Sequence, residues 1–408
     1  MGYIFLFFWI SIQIFWYYLL KLSSVDIKEI SIPSILMAFI YMFSFVGFPI
    51  LWFGLDPYRE LVITDKNILY ELFMYTVFAI TFLIFGFILG RQFFGSLNIS
   101  EYFQRDKVEL GDNHNFLTFL FCVLFIFCIA ILFLYISVIG FNNLAFIAAI
   151  EFVSSDISTT ELRSSSTNAL GNYRWYKLFM NDLLLFCYFF FFASALLKRK
   201  FFLWFLSISS ILIVSFALIM SGEKGPITQI LIGIFLTYYL TQKEGKINFK
   251  IIAIFAFIGF LILVPVDYLL QPTSETLLES SSSVISRVVT GQIHPMYVYF
   301  EYFPYYRDYL MGATFPNPGS VFPFEPVTIT REIMAWYNPK EAESGVIGTM
   351  PAIFWIEAYI NFGPYFFLAV SVFIGIGIFL INKIILLFKP NPLVISFFVW
   401  LILFYKDL

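Results

Sequence analysis

One stretch of the chain gathers arginines, carboxylates and an imidazole in a short span: Arg287, His294, Glu301, Arg307, Glu325, Arg331, Glu332 and Glu343. A guanidinium binds phosphate oxygens through two parallel N–H bonds. An imidazole, or a carboxylate whose pKa is raised by partial burial, takes a proton from a hydroxyl. His294 and Glu301 are therefore both candidate general bases. Glu301 lies in an aromatic run, Tyr297 to Tyr306, whose apolar rings would raise its pKa. His294 is one of two histidines, and the plain reading of a lone histidine is a satisfied core residue. The residues leave the choice between them open.

Three further places carry groups suited to an anion or a buried charge. Arg163 precedes Ser164, Ser165, Ser166, Thr167 and Asn168, while Arg174 and Lys177 stand among Tyr173, Trp175 and Tyr176. Arg174 and Lys177 are also what interfacial anchors look like. The turn Ser221-Gly222-Glu223-Lys224-Gly225-Pro226 puts a proline where a helix begins, with a lysine beside the helix's free N–H groups. Its alternative is a tight hairpin with a snorkelling lysine. Glu357 and Asn361 share a helical face at i, i+4 just before Gly363-Pro364. A carboxylate at such a break in a membrane chain is a functional hypothesis, set against one merely bathed in interfacial water.

These groups need a scaffold, and composition says what kind. Of 408 residues, 60% are hydrophobic and 12% charged, with a mean hydropathy of +0.86. Soluble domains carry about a quarter charged residues. The expected fold is all-α, a polytopic transmembrane bundle. Ten apolar blocks, near 2–20, 32–53, 68–90, 116–139, 176–197, 201–220, 226–241, 249–270, 364–382 and 391–405, are candidate spans. The last is short enough to be a re-entrant piece. The chain then divides into a bundle of about eight helices over 1–270, a long loop over 271–350 and C-terminal transmembrane helices over 351–408.

Loops after the odd-numbered blocks hold Lys21 and Lys28, Arg91, Arg105 and Lys107, Lys198 to Lys200, Lys243 to Lys250, and Lys383 and Lys389. By the positive-inside rule these face the cytoplasm, which leaves 54–67, 140–175, 221–225 and 271–350 outside. Within the long loop, Ser280 to Ser283 reads as a linker, and Ile293 to Leu310 as a short helix lying in the membrane interface. The opening block lacks a basic flank and a small-residue cleavage site, so it reads as a first span and not a signal peptide. Cys122, Cys128 and Cys187 fall within apolar blocks as small hydrophobes. A net charge of −3 without a basic stripe offers nothing to nucleic acid. The outward loops contain no HExxH and no Walker sequence.

Taken together, Arg163 to Gly171, the Ser221-Gly222-x-Lys224-Gly225 turn and the long penultimate loop resemble the O-antigen and oligosaccharide repeat-unit polymerases (Wzy-type). Within the loop the likeness rests on Arg287, Gly291, Tyr297-Val298-Tyr299-Phe300-Glu301, Phe315-Pro316-Asn317-Pro318-Gly319 and Glu357 to Gly363. It covers roughly residues 140–385. Members often have arginine where Lys224 stands, and many have more spans. The resemblance implies a glycosyltransferase of the bacterial inner (cytoplasmic) membrane, with its active site facing the periplasm and no metal or other cofactor. It would move a growing glycan from undecaprenyl diphosphate onto a new lipid-linked repeat unit. Arg163, Arg174, Lys224, Arg287, Arg331 and Glu357 would bind the substrate and its diphosphate, and His294 or Glu301 would be the catalytic base. Implied partners are the lipid-linked oligosaccharide, membrane lipids, and a chain-length regulator and flippase of the same pathway. An O-antigen ligase shares the implied fold and chemistry. A flippase or transporter would instead place charges within its spans and show repeat symmetry.

Overall fold

The computed structural model describes residues 2–104, 108–141, 173–220, 225–270, 276–343 and 348–405. They are helical apart from turns and one isolated bridge, Glu29 to Lys246. Among the described residues, eight helical segments are long and apolar enough to cross a membrane: Gly2–Leu22, Ile32–Trp52, Lys66–Phe94, His114–Ile139, Trp175–Lys198, Phe201–Ile219, Phe249–Tyr268 and Phe366–Ile385. Two more of the ten apolar blocks, Ile227–Gln242 and Pro392–Phe404, are helices but shorter.

The helices that position the site are α1 (Gly2–Leu22), α2 (Ile32–Ser44), α3 (Phe48–Trp52) and α4 (Lys66–Phe94). They are followed by α5 (Gly225–Gln242), α6 (Phe249–Leu270), α7 (Leu277–Val289) and α8 (Ile293–Tyr302). The chain then forms α9 (Ile329–Tyr337), α10 (Phe354–Phe362) and α11 (Phe366–Ile385). Their boundaries follow local chemistry. Ser31 and Ser34 form a reciprocal capping box at the start of α2. Asp65 caps α4 by accepting from Asn67 N–H at 2.7 Å, and Thr276 caps α7 by accepting from Glu279 N–H at 3.2 Å.

At the centre α4 lies along α11. Lipid tails are as apolar as leucine, so helices in a bilayer are held by close packing more than by the hydrophobic effect. Gly86 and Gly375 face each other at this crossing. A Cβ placed on Gly86 would stand 2.8 Å from the Gly375 Cα. Asn382 of α11, fully buried, accepts from Ile32 N–H at 2.9 Å and ties in the start of α2.

The two ends of the bundle differ. At one end Lys383 Nζ donates to the Ser96 carbonyl at 2.7 Å, Arg91 donates to the Leu22 carbonyl, and Ile247 N–H donates to the Lys28 carbonyl. The Lys- and Arg-bearing loops expected to share one side therefore touch one another. The opposite end carries residues 45–65, 276–343 and 348–365.

That second end departs from expectation in two respects. Ser280 to Ser283 is not a linker but the first half of α7. Serine content reads as flexible chain, yet here Ser280, Ser283 and Ser286 make one buried, small-residue face that lets α7 sit close to its neighbours. The aromatic helix is shorter than Ile293 to Leu310, and its rings are packed inside the protein. Eight residues of α8, among them Tyr297, Tyr299 and Phe300, are buried. Phe300 stacks on Tyr359 with centroids 4.5 Å apart, and Tyr75 of α4 meets both rings edge-on. Tyr299 donates to the Met350 carbonyl at 3.0 Å. The helix is thereby clamped between α4 and α10.

Candidate functional site

Helical periodicity puts His294, Tyr297 and Glu301 of α8 on one face, at i, i+3 and i+7. The other face is committed to the aromatic clamp, so these three turn toward the loop 54–65. Asp65 N–H donates to the Tyr297 hydroxyl at 3.0 Å. Arg59 Nη1 stands 2.8 Å from His294 Nδ1. From the other side Tyr337, the last residue of α9, meets the imidazole at 5.1 Å between centroids and 68° between planes.

Asp56 holds this loop in place. It is 5% exposed and accepts from Ser286 Oγ at 2.8 Å, from the Thr290 hydroxyl, and from Tyr58 N–H at 3.0 Å. Ser286 and Thr290 lie at the junction of α7 and α8. The same junction presses on Gly47, where a Cβ would stand 2.3 Å from the Val289 carbonyl oxygen. Arg59 thus reaches His294 from a loop that is pinned at both ends.

The charges interact as a set. Burial lowers the Arg59 pKa first, with Asp56 opposing and Arg287 adding to the fall. Burial, and then the Arg59 charge, push His294 down to about 4. Glu301 is raised above the ordinary carboxylate range, by burial first and by Asp65 second. Tyr337 feels Arg59 and Glu301 in opposite senses, beneath a larger upward push from burial. Arg59, Arg287, His294, Tyr337, Glu301 and Asp65 therefore form one electrostatic neighbourhood. Arg59 Nε and His294 Nε2 are buried without a hydrogen-bond partner among the described residues.

Next to this neighbourhood is an apolar cavity of about 490 Å³, in the range of small-molecule sites. Leu36, Ile40 and Phe43 of α2, Ile232 of α5 and Leu263 of α6 form its walls, with Thr228 and Gln229 as polar points. Val288, next to Arg287, and Gln292, two residues before His294, line it as well.

Among the residues singled out by type and spacing, His294, Glu301 and Arg287 come together. Arg287 is exposed, in the last turn of α7. Arg331 is exposed on α9 and is not among the charges that perturb Arg59, His294 or Glu301. Glu357 accepts from the Thr314 hydroxyl at 3.0 Å. Its neighbour Asn361 accepts from Gly312 N–H at 3.1 Å and donates to Thr314 Oγ1 at 2.7 Å. That pair ties down the turn 310–314. Arg163, Lys224 and the side chain of Arg174 lie outside the described residues. Arg59, Asp56 and Tyr337 were not singled out by type and spacing. The available signal was the density of charge in 54–67, with Asp56, Arg59, Glu60, Asp65 and Lys66 in one short loop between apolar blocks.

The imidazole carries a pH prediction. Its folded-state pKa near 4 lies below the ordinary 6.5, so between those values the detached chain binds a proton that the docked one does not. Docking of α8 on the 54–65 loop is intact above pH 6.5 and weakens as pH falls toward 4, by on the order of 3 kcal/mol. Amide exchange in α8, corrected for its intrinsic pH dependence, should lose protection across that window in the native protein and not in His294→Asn. Equal behaviour of the two would refute the assignment.

Comparison with protein-family models, with curated proteins and with solved structures finds no match to this chain.

Proposed function

We propose that this chain is a polymerase of the bacterial inner membrane that joins undecaprenyl-diphosphate-linked oligosaccharide repeat units into O-antigen or a related surface polysaccharide. The observation that carries the reading is the cluster of Arg59 and Arg287, linked through Tyr337 to the Glu301 carboxylate, with Val288 and Gln292 of the same segment in the wall of an apolar cavity. A lipid-linked glycan presents those three needs in the same order. Its hydrocarbon chain needs an apolar groove, its diphosphate needs fixed cations, and the acceptor hydroxyl needs a base. The cavity is large enough only for the part of a polyprenyl chain nearest the phosphates, and the rest would lie among lipid. The lysine-rich end of the bundle faces the cytoplasm in this reading, which puts the Arg59 end in the periplasm.

In the transfer, the acceptor oxygen attacks the anomeric carbon of the growing chain, and the bond to phosphate breaks with its electron pair leaving on the diphosphate. Cations held in place before the reaction stabilise that charge without reorganising. Deleting the gene and resolving the surface polysaccharide on a gel tests the reading. Lipopolysaccharide capped with a single repeat unit is expected, restored to a ladder by the intact gene. Wholly uncapped core would point to a ligase or a flippase, and an unchanged ladder would sink the proposal.

A further inference from the structure

We propose that Glu301 takes the proton of the acceptor hydroxyl, while His294 serves as the positioning residue that holds the Arg59 guanidinium. The inference rests on the glycosyl-transfer reading above and assigns the roles within it.

A guanidinium has five N–H donors and no acceptor. Arg59 Nη1 lies 2.8 Å from His294 Nδ1, so Nδ1 is the acceptor of that bond. The single proton of the neutral ring must then be on Nε2. One lone pair of the imidazole is engaged by Arg59, and the other nitrogen already carries hydrogen. Nothing remains on the ring to accept a proton from a substrate. Protonating Nδ1 would turn an N–H toward an N–H and set two cations side by side. Nε2 is buried, and the ring is 8% exposed overall, so a sugar hydroxyl cannot approach it.

Glu301 has what His294 lacks. Its side chain is half-buried, not closed off, and it makes no hydrogen bond or ion pair among the described residues. The groups that face it are Asp65 from the loop before α4, Tyr297 from its own helix and Tyr337 from α9. A nearby second carboxylate raises proton affinity, which suits a base working close to neutral pH. The acceptor O–H proton passes to the Glu301 carboxylate as the oxygen's electron pair forms the new glycosidic bond. The anomeric C–O bond to phosphate breaks, and its pair departs on the diphosphate beside Arg59 and Arg287. Glu301 then releases its proton to water.

The test uses the full chain in vesicles, supplied with undecaprenyl diphosphate carrying the host's own repeat unit, with polymer length read over time from pH 5 to 8. Wild-type rate should climb with pH through the Glu301 titration and then level off. Glu301→Gln should lower turnover by about 10²-fold or more while still binding the lipid-linked substrate. Glu301→Asp, which keeps a carboxylate, should recover part of the loss. His294→Asn keeps an acceptor oxygen where Nδ1 stands and should stay within about tenfold of wild type. His294→Phe, with no acceptor, should fall to the level of an Arg59 variant. The proposal is overturned if Glu301→Gln and Glu301→Asp both turn over like wild type, or if His294→Asn is as inactive as His294→Phe. A wild-type protein that makes no polymer from this substrate would instead sink the polymerase reading.

Discussion

Under the proposed polymerase reading, replacing Arg59 with alanine is expected to lower repeat-unit transfer by about 10²–10³-fold, the loss seen when one preorganised donor to a developing oxyanion is removed. Two effects combine. The first is the missing cation where the diphosphate's charge grows. The second is structural, because His294 Nδ1 loses the one donor it has among the described residues. A buried acceptor left unpaired costs about 1–3 kcal/mol, and the ring is free to turn away. Arg59→Lys separates the two. It returns a charge but neither the planar fork nor the fixed direction of Nη1, so transfer should lie between wild type and alanine. Labelled repeat units in membrane vesicles give the rate, and protease resistance of the 276–343 region reports whether the loop layer stays docked. An alanine variant within threefold of wild type would remove Arg59 from the chemistry.

Arg59 is the part of the site that residue type and spacing do not reveal. The apolar blocks were legible because a bilayer sets a minimum length that hydropathy reveals directly. Lys383 and Arg91 were legible as one side of the bundle for the same kind of reason, a rule about charge beside a span. His294 and Glu301 were visible as chemical types, and their shared face follows from the i, i+7 spacing once α8 is known to be a helix. What that face looks at was not visible. Arg59 belongs to a different loop, and only the tertiary path through Asp56, Ser286 and Thr290 brings it to His294. The choice between two bases turned on which nitrogen meets a guanidinium, a matter of contact, which composition does not encode. The serines of α7 misled for a related reason. A small polar side chain reads as linker when it is solvated and as a close-packing face when a neighbour such as Asp56 uses it.

The second large effect concerns stability, at the crossing of α4 and α11. A Cβ on Gly86 would fall 2.4 Å from the Val372 carbonyl oxygen and 2.8 Å from the Gly375 Cα. A Cβ on Gly375 would fall 2.4 Å from the Leu83 carbonyl oxygen and 2.9 Å from the Gly86 Cα. These are backbone atoms of long helices, and no rotamer change relieves the overlap, so the helices themselves must part. Gly86→Ala and Gly375→Ala are each expected to cost about 1–3 kcal/mol, and valine more. The double alanine variant should cost less than the sum, because helices already forced apart by one methyl have partly made room for the other. Gly377, on the same helix with nothing within 4 Å of its Cβ position, is the internal control. Alanine there should be neutral or slightly stabilising, since alanine favours the helix over glycine. Melting midpoints of wild type and these four alanine variants in one detergent decide it, and a Gly86→Ala protein as stable as Gly377→Ala would refute the crossing. The consequence reaches the site. Asp65 caps α4, and α10 leads into α11 through Gly363, so a wider crossing shifts the two supports between which α8 is clamped. Transfer should therefore fall in the Gly86 and Gly375 variants that still insert, even though neither glycine is near the substrate.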